Sequence, residues 1–300
     1  MNRLATRPLL ALLAAAALLS ACSPSGSDTT ASSTTKTPKA AGSSSASATP
    51  DACAKASLQT QSAGRLTIAT DDPVFPPWFT DNKPQNGKGY EGAVAAAVAS
   101  KLGFTPDEVT WTRVPFNNVF KPTPKNWDFD INEFSITAKR KQALDFSSPY
   151  YDVSQAVVTT KGSKAAGVTT LAGLKGLTIG AQVGTTSFDA IKSVIAPSKS
   201  PRVYNSNHDV VAALKNGQID ALVTDLPTAF FMAAVQLDKG KIVGQLASAG
   251  GTPEQFGLVL EKDSPLTTCV SKAVDALRTD GTLASLVDQW LSQGGAPVLK

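Results

Sequence analysis

The 300-residue chain reads as an α/β protein, in which mainly parallel sheets carry helices on both faces. Two observations predict this class. From Gly64 onward, short apolar runs such as Leu66-Thr-Ile-Ala-Thr70 alternate with helical patterns such as Glu91–Leu102. In addition, 42% of the residues are apolar against 17% charged, over a length sufficient for two modest lobes.

The N-terminus stands apart from that pattern. Arg3 and Arg7 lead into Leu9-Leu-Ala-Leu-Leu-Ala-Ala-Ala-Ala-Leu-Leu19, a signal-peptide core too short for a comfortable membrane span. Leu19-Ser20-Ala21-Cys22 then looks like a lipobox, with residues 1–21 removed and Cys22 acylated. Residues 23–50 are rich in Ser, Thr, Ala, Gly and Pro and contain no aromatic side chain, so 22–55 is expected to be a disordered tether. Such a tether holds the folded part about 30 Å from the membrane. Removal of residues 1–21 takes away two of the 28 bases and no acid, leaving 26 against 24. A net charge of +2 with no basic run gives no reason to expect a nucleic-acid partner.

The elements then follow in order. Leu66–Thr70 is a strand, Glu91–Leu102 an Ala/Val-rich helix closed by Gly103, and Val109–Val114 and Asp128–Phe134 are further strands. Leu177–Gln182 reads as a strand, followed by Gly184-Thr-Thr186 and a helix from about Ser187. Asp209–Lys215 is a helix ended by Asn216-Gly217, and Ile219–Thr224 is a strand. Val270–Leu277 and Leu283–Leu291 are amphipathic helices. Pattern alone leaves the domain boundaries open.

The stretch from Asp128 to Tyr151 carries the most chemical information. It reads as a short buried strand running into a helix, with Thr137 capping the first turn. Lys139, Arg140 and Lys141 would then crowd the end of a helix whose dipole favours anions. A guanidinium beside unpaired backbone N–H groups is the chemistry of an anion site, while the alternative is an Arg140 paired with Asp145. The sequence Ser135, Thr137, Arg140 and Asp145-Phe-Ser-Ser-Pro-Tyr-Tyr151 resembles the central motif of the polar amino-acid family of bacterial solute-binding proteins, the ligand-capturing subunits of ABC importers. The resemblance extends in order over about residues 64–297.

That resemblance implies a two-lobed type II periplasmic-binding-protein fold, its lobes joined by two crossover strands. Lobe 1 would span 60–155 plus 260–300 and lobe 2 would span 156–259, with Gln155–Thr159 and Phe256–Leu260 as the crossings. It also implies a ligand set. Asp72-Pro-Val-Phe75-Pro-Pro-Trp78 matches the family's first loop, with Asp72 and Phe75 at the ligand and Trp78 packing the rim. Phe116 takes the place of an aromatic lid, although the usual following acid is Asn117. Arg140, Ser135 and the Thr185–Thr186 loop would hold an α-carboxylate. Asp225 would hold the α-ammonium, or alternatively cap the next helix. Gln182 and Glu133 stand at positions that select the side chain. Glu133 replaces a small or neutral residue: facing the cleft it would favour a basic ligand, and pointing away it is a solvated acid.

Two cysteines remain after lipidation. In an exported compartment Cys53 and Cys269 are expected to form a disulfide, the alternative being two free thiols. Gly87-Lys-Gly-Tyr-Glu-Gly92 satisfies GxGxxG but follows a polar loop and not a strand, so it is not a dinucleotide site. His208, the only histidine, has no partner pattern for catalysis or metal. The expectation is therefore a monomeric, lipid-anchored binding subunit on the outer face of the cell membrane, with an L-amino acid as ligand, an ABC permease as partner, and no cofactor or reaction. The rivals are a dehydratase-like enzyme on the same scaffold and a sensor acting through a partner.

Overall fold

A computed structural model describes residues 51–248, 251–291 and 294–300. The expected signal peptide, Cys22 and most of the expected tether lie outside the described residues. The chain is already held at the end of the expected tether: Cys53 is bonded to Cys269, and Lys55–Ser57 form a 3-10 turn.

In chain order the elements are β1 (Leu66–Thr70), α1 (Tyr90–Lys101), β2 (Val109–Arg113), β3 (Phe129–Asp130), β4 (Leu144–Phe146), β5 (Tyr151–Val153) and β6 (Gln155–Thr160). They continue with α2 (Leu171–Leu174), β7 (Ile179–Gln182), α3 (Thr186–Ala190), β8 (Arg202–Tyr204), α4 (Asn207–Lys215), β9 (Ala221–Asp225) and α5 (Leu226–Phe231). Last come β10 (Gly240–Gln245), β11 (Glu254–Phe256), β12 (Val259–Glu261), α6 (Thr267–Thr279) and α7 (Thr282–Trp290).

Two five-stranded sheets result, in the orders β2-β1-β3-β12-β4 and β10-β6-β9-β7-β8. Each has one strand running against the other four: β12 in the first and β6 in the second. The reason is the crossing. Strands β5 and β11 form an antiparallel ribbon between the sheets, pairing Val153 with Glu254 and Tyr151 with Phe256. One arm continues into β6 and the other into β12, so each sheet receives one strand from the hinge in the opposite sense.

Side-chain alternation places two apolar layers on each sheet. Leu66, Ile68, Leu258 and Leu260 face a core shared with α1, α6 and α7, while Ala69, Val259, Leu144 and Phe146 face the other side with Phe116, Trp127 and Phe134. In the second sheet Val157, Ile179, Ala181 and Val223 face one layer, and Ala156, Val158 and Leu222 the other. Residues buried on both faces of a sheet explain why these strands read as continuous apolar runs.

The GxGxxG segment has a steric role. Gly89 precedes α1 at φ 91°, and a Cβ there would lie 2.4 Å from the Trp78 carbonyl oxygen. Three expectations are corrected. The strand expected over Asp128–Phe134 stops at Asp130, because the chain turns away through Glu133 at φ 52°. The helix expected after it is only a 3-10 turn, Arg140–Gln142, although the Arg140 N–H does donate to Thr137 Oγ1 at 3.1 Å. Finally, the expected first lobe takes in all of 260–300, yet the last residues lie along the second sheet. Val298 bridges Gln245 in parallel, the Leu299 N–H donates to the Gln245 carbonyl at 2.8 Å, and Leu299 is buried in the second lobe's core. Strand β10 is an edge with open backbone groups, and Gly244 leaves room for the Leu299 side chain.

The Cys53–Cys269 bond spans 216 positions and ties the start of the described chain to α6. Replacing both cysteines by serine should lower unfolding stability by about 2–5 kcal/mol, read from denaturant unfolding with and without reductant. An unchanged midpoint would show that the packing of α6 alone holds this end of the chain.

Candidate functional site

A cavity of about 600 Å³ opens between the two sheets, at the carboxyl ends of their parallel strands. From the first lobe come Asp71, Asp72 and Phe75 after β1, Phe116 and Asn117 after β2, and Asn132, Glu133, Ser135 and Arg140 after β3. From the second come Gln182, Thr185 and Thr186 after β7, Asn205–His208 after β8, and Thr224 and Asp225 at the end of β9. All ten residues singled out from sequence as ligand contacts therefore line one cavity.

Among the described residues, Arg140 is the one Lys or Arg on this lining. It does not pair with Asp145, which is held by Lys262 and Thr267. Instead Nη1 donates to the Ser135 carbonyl at 2.7 Å and Nη2 crosses to the Gly184 carbonyl of the second lobe at 3.0 Å. Its guanidinium lies 4.8 Å from the Phe120 ring centroid and 5.7 Å from that of Phe116. Phe116, on the cavity lining, is buried and stacks on Phe134 at 5.0 Å beneath the Arg140 guanidinium. Burial draws the Arg140 pKa down to about 10, which still leaves it a cation at neutral pH.

The second lobe meets this group closely. Gly184, at φ 75°, brings its backbone so near Asn117 that a Cβ would lie 2.9 Å from Asn117 Oδ1. Thr185 caps α3, its Oγ1 accepting from the Phe188 N–H at 3.2 Å and donating to the Gln182 carbonyl at 2.7 Å. Its hydroxyl is thus engaged locally. Gln182 Oε1 accepts from the Asn207 N–H at 2.9 Å, which orients that side chain. Asp225 stands where a cap for α5 would be but makes no cap bond with its side chain; it accepts from Gln155 Nε2 at 2.8 Å. Three further contacts draw the lobes together. Trp78 Nε1 donates to Thr228 Oγ1 at 2.8 Å, Thr228 Oγ1 donates to Glu133 Oε2 at 3.1 Å, and Phe75 stacks on Phe231 at 6.1 Å. The lobes are closed on one another.

Glu133 faces the cleft. Its left-handed φ, costly by about 1–2 kcal/mol at a residue with a Cβ, points its N–H at Glu91 Oε1 (2.7 Å) and its carboxyl at Thr228. Behind it lies a set of acids that sequence reading did not single out. Glu91 on α1 and Asp130 at the end of β3 are fully buried, and Glu91 Oε2 and both Asp130 oxygens have no hydrogen-bond partner. Burial raises Glu91 to about 7 and lifts Asp130 well above the usual carboxylate range, where Glu91 and Asp71 add to the effect. Burial likewise lifts Glu133 far up, helped by Glu91 and Asp225, and raises Asp225 to about 8, helped by Glu254. Asp71 is also raised by burial, whereas Asp72 sits exposed at the mouth, 3.9 Å from Arg113. His208 is exposed on the same rim. Among the described residues no group of three or more His, Cys, Asp or Glu could hold a metal ion.

The fold and this interlobe cleft are those of extracytoplasmic binding proteins, and comparison with known proteins gives the family. Residues 66–293 match the family described as bacterial extracellular solute-binding proteins, family 3, and the chain belongs to it. It is 26% identical over 246 residues to the arginine-binding extracellular protein ArtP of Bacillus subtilis, covering 80% of this chain and 92% of that one. It is 31% identical over 178 residues to the glutamine-binding protein GlnH of the same organism, covering 58% of this chain and 62% of the relative. Among solved structures, an ancestral arginine-binding protein bound to arginine matches with a TM-score of 0.62 at 29% identity, over 76% of this chain and 99% of that one.

The acids behind the cleft give a pH dependence with a definite sign. Each has a folded-state pKa raised above its ordinary value, so the folded state holds its proton more tightly than the unfolded state. Their contribution to stability is complete below about pH 4 and is lost as pH rises through about 7–8. The ligand-free protein should therefore melt several degrees higher at about pH 5.5 than at about pH 8.5 in scanning calorimetry. The opposite order would mean that these carboxyls are ionised in the empty cleft.

Proposed function

We propose that this cleft captures an L-amino acid with a cationic side chain. The chain is the solute-binding subunit of an ABC amino-acid importer and acts by closing its hinge on the ligand. The observation that carries the ligand reading is the charge layout. One arginine from the first lobe and one aspartate from the second face the same cavity, and a second acid, Glu133, faces it beside them. Arg140 would pair with the α-carboxylate, aided by the backbone N–H groups of Thr185 and Thr186 at the start of α3. Asp225 would accept from the α-ammonium. Glu133, with Asp71 and Gln182, would receive the guanidinium or ammonium of the side chain, and Phe75 and Phe116 would wall its aliphatic stem.

Bringing a cation into this site offsets the field of acids that are otherwise held neutral, so ligand binding and ionisation of Asp225 and Glu133 occur together. Similarity to arginine-binding relatives agrees with the reading. Cys22 is proposed as the lipid anchor on the strength of Leu19-Ser20-Ala21-Cys22, and the tether would let a monomeric domain reach its permease from the outer face of the membrane.

Two variants test the assignment. Arg140→Ala should weaken L-arginine at least about tenfold in calorimetric titration, the scale of a charge-assisted pair, with an unchanged circular-dichroism spectrum. Retained affinity would remove Arg140 from the clamp. Glu133→Gln should cost L-arginine and L-lysine about tenfold relative to L-glutamine, and an unaltered ranking would show that Glu133 does not select the side chain.

A further inference from the structure

Glu254 lies outside the main cavity's lining but touches two of the residues that line it, Ser135 and Thr186. The antiparallel bridge between Ser135 and Phe256 sets residues 134–136 beside β11, with the Ile136 N–H donating to the Gln255 carbonyl at 2.8 Å and the Gly257 N–H to that of Phe134 at 3.0 Å. Ser135 therefore arrives next to Glu254. Glu254 Oε1 accepts from both Ser135 Oγ and Thr186 Oγ1, and Oε2 accepts from Gln155 Nε2 at 3.1 Å. The same Gln155 nitrogen donates to Asp225 Oδ1 at 2.8 Å. One carboxylate on the hinge thus links Ser135 of the first lobe to Thr186 of the second, and through Gln155 to the acid at the opposite pole of the cleft.

The hydroxyl protons can be counted. Each hydroxyl has one. Ser135 Oγ and Thr186 Oγ1 are also 3.0 Å apart, so either both protons go to Glu254, or one hydroxyl donates to the other and that one to Glu254. In both arrangements the two protons stay inside the cluster, and the oxygens turn only lone pairs toward the cavity. Oε1 faces the two hydroxyls and Oε2 the Gln155 amide, so Glu254 is the acceptor on which the cluster converges. Gln155 Nε2 is shared between Glu254 Oε2 and Asp225 Oδ1, while its Oε1 has no hydrogen-bond partner. A ligand carboxylate, which only accepts, gains nothing from such a pair.

We propose that Glu254 is a positioning residue that sets the hydrogen-bond polarity of the Ser135–Thr186 pair. The pair then accepts from N–H groups of the ligand, and the carboxylate is left to Arg140 and backbone N–H groups. This deepens the amino-acid reading above and rests on it. In Glu254→Gln the new amide turns its oxygen to Gln155 Nε2 and its nitrogen to the two hydroxyl oxygens. It donates where Glu254 accepted, and hydroxyl protons are released toward the cavity.

The test titrates wild type and Glu254→Gln with L-arginine and with L-argininamide, whose terminal group carries N–H donors. The preference for the acid over the amide should rise at least about tenfold in the variant. A purely structural role would change both ligands by one factor, and an unchanged ratio overturns the proposal. Sodium acetate against sodium chloride at equal ionic strength is the second probe. Acetate should raise the melting temperature of Glu254→Gln more than that of wild type, whether or not arginine binds. Acetate discrimination without arginine binding would retire the ligand reading and keep the role of Glu254; no discrimination by acetate would overturn that role. If Glu254→Gln does not fold, Thr186→Val reads the same polarity. It should cost L-argininamide more than L-arginine, and an equal or larger loss for L-arginine overturns the proposal.

Discussion

The antiparallel pairing of β5 with β11 is the contact on which the rest of the molecule depends. It carries the chain between the two sheets and determines the one reversed strand in each. Its flanks are packed by aromatic rings: Trp78 meets Phe256 at 5.7 Å and Tyr151 at 6.0 Å, edge-on in both cases. The same ribbon places Ser135 through its bridge to Phe256, and presents Glu254 and Gln155 between the lobes. A binding cleft made of two halves needs a joint that is rigid in register and free to bend. Two short strands buried on aromatic rings, continuing into separate sheets, meet both needs.

Around that joint the chemistry is dominated by acids kept out of water. Glu91, Asp130, Glu133 and Asp225 gather behind and within a cavity where, among the described residues, the only Lys or Arg is Arg140. Burying an unpartnered carboxylate is expensive in its charged form, so these groups answer by holding protons. Such a site is poorly matched to an anion beyond the single one that Arg140 can pair with, and well matched to a ligand bearing one carboxylate and more than one cationic group. The closed lobes strengthen the preference, since excluding water from the cleft lengthens the reach of every charge in it.

The hydrogen bonds across the cleft follow a similar logic. Thr228 accepts from Trp78 and donates to Glu133, so one hydroxyl of the second lobe is bound by two groups of the first. Ser135 and Thr186 do the same work at the other end through Glu254. Because hydroxyls are ambivalent, their polarity is settled by the strongest neighbour, and at both ends that neighbour is a carboxyl.

Much of this was legible in the residues themselves. Apolar alternation placed β1, β2, β7 and β9 to within about two residues, and the ten residues that the family resemblance names line one cavity because each lies at or after the carboxyl end of a strand that faces it. These are local properties, since strand period, helix pattern and loop position depend on neighbours a few residues away. What only the tertiary structure decided depends on distance through space. Nothing near Glu254 in the chain announces a role, because its partners Ser135 and Thr186 lie 119 and 68 positions away. Glu91 reads as an ordinary first-turn acid until α1 is packed against Glu133 and Tyr150. The return of Leu299 to the second lobe required an open edge at β10 that no local pattern reveals. Sequence determined which elements form and which loops meet; the protonation of the acids, the direction of the hydroxyls and the path of the C-terminus were decided by burial and by contacts between lobes, which exist only once the chain has closed on itself.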